Sequence, residues 1–105
     1  MRTVRYSVTA RDQLRDLLAA GVPWFGAKVV AEKRDLAYDT IDNFLARFPA
    51  TKTPHPTLGL VVYPITKTPF LVLYDFDDDE LRIHFVLLKG AGTRLDDLDP
   101  AMAEW

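Results

Sequence analysis

The alternation of apolar and polar positions is clearest between residues 58 and 88, where it predicts three β-strands in a row. The predicted strands are Leu58–Ile65, Pro69–Tyr74 and Glu80–Leu88. The connections, 66–68 and the acidic 75–79, are short enough for hairpin loops between antiparallel neighbours. We therefore expect a three-stranded antiparallel meander around which the rest of the chain folds.

The composition of these strands indicates how the two faces of the sheet are covered. The middle strand runs from Phe70 to Leu73 without a polar residue, as expected of a strand buried on both faces. In the last strand Arg82 and His84 alternate with apolar residues, so both should point to the same side. We expect one covered face and one partly wet face.

Ahead of the meander, the pattern predicts a short strand and a first helix. Alternation over residues 4–8 is typical of a strand with one buried face. Thr9 is a candidate N-cap for the helix, whose apolar stripe includes Leu14 and Leu18. Gly21 is expected to end this helix, because glycine is the usual residue just past a helix C-terminus.

A second helix is predicted to begin at Pro23, which suits a first helical position because it needs no N–H donor there. It should run to about Phe48. Two helices separated by so short a break predict an antiparallel hairpin that lies on one sheet face.

The remaining segments read as connections. Residues 49–57 hold three prolines and no apolar period, which predicts a semi-extended connector. Residues 92–105 are expected to form a C-terminal tail, as a short turn or a mobile segment. The prediction is one α+β domain over residues 1–105.

Composition narrows the classes of function. The chain has 105 residues, with 13 Lys and Arg against 15 Asp and Glu and a net charge of -2, so no bulk positive field indicates direct, specific DNA binding. It has no cysteine, which excludes disulfides and thiolate metal sites. It also has no run of 18 apolar residues, so we expect a cytoplasmic protein without a membrane partner.

The order of strand, helical hairpin and three-stranded meander resembles the RelE/ParE superfamily of bacterial type II toxins. The likeness covers residues 4 to 91. It is carried by Tyr6-Ser-Val-Thr-Ala10 with Leu14, Trp24-Phe-Gly-Ala27, Ile41 to Pro49, Tyr63-Pro-Ile65, Pro69 to Tyr74, Leu81 to Leu87, and Gly90-Ala91. The resemblance implies a mainly antiparallel sheet in which the first strand lies beside the last.

The chain departs from this family at its basic positions. Members usually carry a cation ahead of the segment matching Tyr63-Pro-Ile65, another after the meander tyrosine, and a His or Arg at the end of the last strand. Here the second of these places holds Asp75 and the third Lys89, while Val61 or Val62 stands at the first. Members that cleave messenger RNA need several cations around the phosphate and a group to move a proton. The loss favours the ParE branch, which is described as poisoning DNA gyrase without a nuclease centre.

The resemblance therefore implies a ParE-like toxin of a chromosomal or plasmid pair, which arrests growth by inhibiting gyrase and is neutralised by a ParD-like antitoxin. A binding protein is favoured over an enzyme, and no cofactor is expected. Two alternatives stay open: a RelE-like, ribosome-dependent mRNA endonuclease, and a degenerate member that only binds its antitoxin.

Candidate residues follow from the same reasoning. Contact with the target is expected from Lys89, Arg94 and Trp105, and contact with the antitoxin from Leu14, Leu18, Trp24 and Phe25. Arg82, His84 and Lys89 are the only weak candidates for a catalytic role, and a solvated strand face explains the first two more simply. The run 75–79 lacks the glycine and distant glutamate of a calcium loop, so we expect no metal site.

Overall fold

The computed structural model describes all residues from Met1 to Trp105. Its regular elements, in chain order, are β1 (Thr3–Tyr6), α1 (Val8–Phe25), α2 (Ala27–Asp39), β2 (Val61–Pro64), β3 (Phe70–Phe76) and β4 (Glu80–Leu88). A π-helical turn, Thr40–Leu45, continues α2, and two 3₁₀ turns, Leu95–Asp97 and Pro100–Met102, lie in the tail. Neither α1 nor α2 has the combination of length and apolar character that crossing a membrane requires.

The four strands form one mixed sheet in the order β1-β4-β3-β2. The predicted meander is confirmed: β2 pairs antiparallel with β3, and β3 with β4. Strand β1 lies beside β4 and runs parallel to it, with Val4 opposite Leu81, as the resemblance implied. The sheet carries the predicted helical hairpin on one face, so the α+β class is confirmed.

Two strand boundaries differ from the prediction. Strand β2 begins at Val61 rather than Leu58, because Gly59 at φ 70° closes a turn in which its N–H donates to the carbonyl of His55 at 2.8 Å. Strand β3 extends to Phe76, so Asp75 belongs to the sheet rather than to the loop. The acidic hairpin turn is thereby shortened to residues 77–79.

The start of the first helix was predicted two residues too late. Strand β1 ends at Tyr6, and the N-cap is Ser7 rather than Thr9: the Ser7 hydroxyl accepts the N–H of Ala10 at 2.8 Å. Thr9 instead accepts the N–H of Glu104 with its hydroxyl at 2.9 Å. The sequence pattern extended the strand to Val8 because Val8 is apolar and fits the alternation, although it is the first residue of α1.

The predicted end of the first helix is also wrong. Helix α1 continues through Gly21 and Pro23 to Phe25, and Gly26 is the break before α2. Pro23 stands close to the C-terminus of α1. Because proline has no backbone N–H, one hydrogen bond is missing, to the carbonyl of Ala19, and Ala19 is exposed to solvent. Gly26 adopts φ 84° and ψ 155°, a combination essentially confined to glycine, and this turns the chain back into the hairpin.

The main core lies between the helices and the sheet. Its buried apolar side chains come from α1, α2, the π-helical turn and three strands: Ala10, Leu14, Ala37, Ile41, Leu45, Val61, Phe70, Val72, Tyr74, Leu81, Ile83 and Val86 among them. Tyr74 also ties the connector to this core, because its hydroxyl donates to the carbonyl of Pro49 at 2.6 Å.

The second sheet face is covered by the tail and by the segment ahead of β2. Leu73 and Phe85 from the sheet pack with Leu58, Leu60 and Ala103 in a second buried cluster. Leu95 and Leu98 of the tail pack against this cluster and are half-buried. The expectation of a partly wet face therefore holds only at one end, where Arg82 and His84 lie.

The two glycines at the hairpin allow a direct test of where α1 ends. We expect Gly21→Ala to stabilise the protein by about 0.5–1 kcal/mol, because a helix interior favours alanine and the new methyl group would lie 3.4 Å from Val30. Gly26→Ala should destabilise it by about 1–3 kcal/mol, since no atom would clash but the backbone conformation excludes a side chain. Urea unfolding followed by circular dichroism measures both, and a loss of stability in Gly21→Ala would place the helix end back at Gly21.

Candidate functional site

The first candidate site lies beside the hairpin turn between the end of β3 and the start of β4, on the face of the sheet away from the helices. Arg82 donates from Nε to Asp75 at 2.8 Å and from Nη1 to Asp77 at 2.8 Å and Glu80 at 3.1 Å. One guanidinium is thus surrounded by three carboxylates. We call Asp75, Asp77, Glu80, Arg82 and His84 the acidic network. Its net charge is negative even when His84 is protonated.

The hydrogen bonds of this network shift two ionisation equilibria. The bond from Arg82 and those from the backbone N–H groups of Asp79 and Glu80 lower the pKa of Asp77 to about 2. The bonds to Asp77 and then Asp75 raise the pKa of Arg82. Both shifts favour the charged forms, so the pair of Arg82 and Asp77 stays ionised at any physiological pH.

A β-bulge positions His84. The register places Tyr74 opposite Ile83 and Leu73 opposite Phe85, so His84 is the additional residue on β4. Its Nε2 lies 3.1 Å from Asp75 Oδ1, the atom that Arg82 also contacts, so the two side chains do share one side as predicted. Its Nδ1 is buried without a partner, and the side chain is only 12% exposed.

Trp105 closes this site from the tail. Its ring meets the His84 imidazole edge-on, with centroids 4.8 Å apart, and the Arg5 guanidinium lies 5.0 Å from the indole centroid. The adjacent Glu104 carbonyl accepts the N–H of Val8, in the first turn of α1, at 2.6 Å. The tail is therefore fastened to the helix and to the sheet.

Lys89 and Arg94, the other residues predicted to contact a target, lie outside this network. The Lys89 ammonium donates to the carbonyls of Ile65 and Thr68 at 2.9 and 2.7 Å, at the opposite end of β4 from Arg82. Arg94 is 81% exposed, and its nearest carboxylate, that of Asp97, is 3.6 Å away. The structure thus does not join the candidate cations into one centre.

The second candidate site is an apolar groove of about 380 Å³ between the helical hairpin, the start of β3 and the end of β4. It is lined by Leu17, Leu18, Phe25, Val29, Val30, Lys33, Pro69, Phe70, Leu88 and Lys89. Of the residues predicted to contact an antitoxin, Leu18 and Phe25 line it, and Trp24 next to Phe25 is 83% exposed. Leu14 is different: it is 2% exposed in the core, so its side chain cannot reach a partner.

Sequence reasoning missed the α2 side and the sheet side of this groove. Val29 and Val30 lie in the first turn of α2, after the break at Gly26, so they line the groove with Phe25 because the chain turns back there and not because they share a helix face. The contribution of Phe70 and Leu88 depends on strand register, which places them opposite each other. No group of three or more acidic or histidine side chains is arranged to hold a metal ion.

The geometry can be compared with known proteins. The structure superposes on a chain of the chromosomal ParDE TA system from P. aeruginosa with a TM-score of 0.68, over 84% of this chain and 96% of that chain, at 13% sequence identity. The fold is RelE/ParE-like. No family model matches the sequence, and no curated protein does. At this identity, the likeness establishes a RelE/ParE-like fold and leaves function to the chemistry of the surface.

The lowered pKa of Asp77 predicts a pH-dependent contribution to stability. A depressed pKa means that the charged side chain stabilises the fold above its ordinary pKa of 3.8 and that this contribution is lost as pH falls through about 2. We expect Asp77→Asn to be less stable than the wild type at pH 5, with the difference shrinking as pH falls from 4 to 2. Urea unfolding over this pH range measures it.

The matched control is Asp78→Asn, which removes the same charge from an exposed neighbour that does not contact Arg82. Its free energy of unfolding at pH 5 should stay close to that of the wild type, because no bond to Arg82 is removed. A difference for Asp77→Asn that stays constant down to pH 2 would show that Arg82 does not hold this carboxylate.

Proposed function

We propose that this chain is the toxin of a type II toxin–antitoxin pair: a ParE-like protein that arrests growth by binding DNA gyrase and is neutralised by a ParD-like antitoxin. The RelE/ParE-like fold supports a toxin of this group. The choice of gyrase inhibition over messenger RNA cleavage rests on one observation: the Arg82 guanidinium is held by three carboxylates of its own chain.

That observation opposes a nuclease. Cleavage of RNA needs cations free to approach the phosphate and a group able to move a proton. Arg82 is neutralised by carboxylates, His84 is covered by Trp105, and Lys89 donates to backbone carbonyls at the far end of β4. The acidic network would also repel a phosphate backbone. A protein target fits this surface better than RNA does.

The tail supplies the proposed contact with gyrase. Lys89 is half-buried at the apolar groove and Trp105 packs against His84 and Arg5, whereas Arg94 is largely exposed with one distant carboxylate neighbour. Removing the whole tail would uncover Leu73 and Phe85, so its loss would test stability and target binding together. A single substitution at Arg94 separates the two.

The first test is a titration of the purified protein, without antitoxin, in a gyrase supercoiling assay. We expect the wild type to inhibit supercoiling, and Arg94→Glu to raise the half-inhibitory concentration roughly tenfold, equivalent to about 1.4 kcal/mol. Lys52→Glu is the matched control, since it makes the same charge change at another exposed position.

Absence of inhibition by folded wild-type protein would contradict the gyrase target. Messenger cleavage on translating ribosomes would then support the RelE-like activity. If the protein shows neither gyrase inhibition nor growth arrest on overexpression, the remaining alternative is a degenerate member that only binds its antitoxin.

The apolar groove and the adjacent turn supply the proposed antitoxin surface. Trp24 and Phe25 are 83% and 67% exposed, which is costly for such large apolar side chains in water. They stand at the turn of the helical hairpin, directly before Gly26, and Phe25 also lines the groove. A partner segment that covers the turn and enters the groove would bury all of this surface together.

Substitution of Trp24 tests this surface. Trp24→Ala should weaken binding to the antitoxin encoded with the toxin by about thirtyfold, equivalent to about 2 kcal/mol for an aromatic anchor. The free energy of unfolding should change by less than about 0.5 kcal/mol, because the side chain is exposed. Calorimetric titration measures the affinity. Met102→Ala, at a 73% exposed apolar residue of the tail, should bind like the wild type; equal affinity for Trp24→Ala would remove Trp24 from the interface.

A further inference from the structure

Two lysines, Lys33 and Lys89, line one end of the apolar groove, and a third, Lys67, stands in the turn between β2 and β3 that both of them contact. Lys33 on α2 donates its ammonium to the carbonyl of Lys67 at 2.7 Å. Lys89 at the end of β4 donates to the next carbonyl along the chain, that of Thr68, at 2.7 Å. Lys67 is itself exposed and holds the turn at φ 63°. We call Lys33, Lys67 and Lys89 the lysine end of the groove.

No carboxylate neutralises the lysine end. Every ion pair of the protein uses an arginine or a histidine, and none uses a lysine. The acceptors that Lys33 and Lys89 do find are neutral backbone oxygens. An ammonium has three donors, so each retains at least one for another acceptor. Positive charge is therefore concentrated at this end of the groove, although the chain has a net charge of -2.

The groove itself has the opposite character. Lys33 and Lys89 stand at its rim, and its walls are mainly apolar side chains such as Leu18, Val30 and Phe70. A volume of about 380 Å³ accommodates a few side chains rather than a folded domain. A matching partner segment needs apolar side chains for the walls and carboxylates at one end.

We propose that the groove binds a segment of the antitoxin in which apolar anchors are followed by carboxylates, and that these carboxylates pair with Lys33, Lys67 and Lys89. The identity of the partner rests on the proposed function, whereas its chemistry rests on the charge and lining of the groove. The lysine end determines which way the segment lies and which antitoxins are accepted, because a segment without carboxylates leaves the three ammonium groups unpaired.

A second copy of this chain is a poorer occupant. Asp75, Asp77 and Glu80 are paired with Arg82, and the acidic end of the tail is held to α1 by the backbone hydrogen bonds of Glu104 with Val8 and Thr9. RNA is also a poorer occupant, because a charged phosphate backbone makes no favourable contacts with the apolar walls.

The test uses variants that change charge without straining the turn. Lys67 has a positive φ, which asparagine and aspartate tolerate better than most residues. We compare Lys67→Asn, Lys67→Asp and Lys33→Gln with the wild type, and Lys52→Asp is the control for the same reversal elsewhere. Affinity for the antitoxin encoded with the toxin is measured by calorimetry at 50 and 300 mM NaCl.

We expect Lys67→Asp to weaken binding about tenfold at 50 mM salt, with Lys67→Asn and Lys33→Gln intermediate. The difference should shrink at 300 mM salt because screening weakens the ion pairs, and Lys52→Asp should match the wild type. Thermal unfolding of each free variant checks that the fold is kept.

The outcomes separate this inference from the proposed function. No binding by the wild type would overturn the toxin assignment and the inference with it. Wild-type binding with equal affinity and equal salt dependence in the lysine variants would overturn the inference alone. Two further results would also overturn it: concentration-dependent dimerisation of the free protein that Lys67→Asp abolishes, or lysine-dependent binding of a fluorescein-labelled single-stranded RNA.

Discussion

The contacts of Ser7 join the helical layer to the sheet, and much of the fold depends on them. This fully buried residue donates its N–H to the carbonyl of Ile83 at 2.9 Å, and its hydroxyl donates to the carbonyl of His84 at 2.7 Å. The same hydroxyl accepts the N–H of Ala10 at 2.8 Å. One small side chain therefore ends β1, caps α1 and satisfies a carbonyl at the β-bulge. A buried serine is stable here because each of its polar groups has a partner, and alanine would leave the bulge carbonyl and the helix N–H without theirs.

The bulge that Ser7 secures also divides the outer face of the sheet. Because His84 is an additional residue, Phe85 turns to the same side as His84, while Ile83 and Val86 face the helices. The beginning of β4 is thus polar on this face and the middle is apolar. The tail follows this division: Ala103 covers Phe85, and Trp105 covers His84. The Glu104 carbonyl then returns the tail to the first turn of α1, next to Ser7.

The sequence was sufficient for the order of elements, the meander and the helical hairpin, because these follow from local apolar periods. It misplaced the hairpin break, since Gly21 and Pro23 are ordinary stop signals and only the φ and ψ of Gly26 identify the true one. The sequence could not predict the neutralisation of Arg82, because the register of the β3–β4 hairpin is what brings Asp75 next to Arg82. The lysine end was equally hidden: Lys33, Lys67 and Lys89 are far apart in the chain and meet only when α2, the turn and β4 are assembled.

The two ends of β4 therefore carry opposite electrostatic character, and this difference argues for where an anionic partner binds. At the start of the strand Arg82 is surrounded by carboxylates, so an approaching anion meets net negative charge. At its end Lys89 lies beside Lys33 with neutral acceptors only, so an anion is attracted there. The difference persists even though the chain as a whole is acidic, because close, partly buried charges are screened less than distant ones. The charges therefore favour binding of an acidic partner at the groove beside Lys89 and oppose it at the strand face around Arg82.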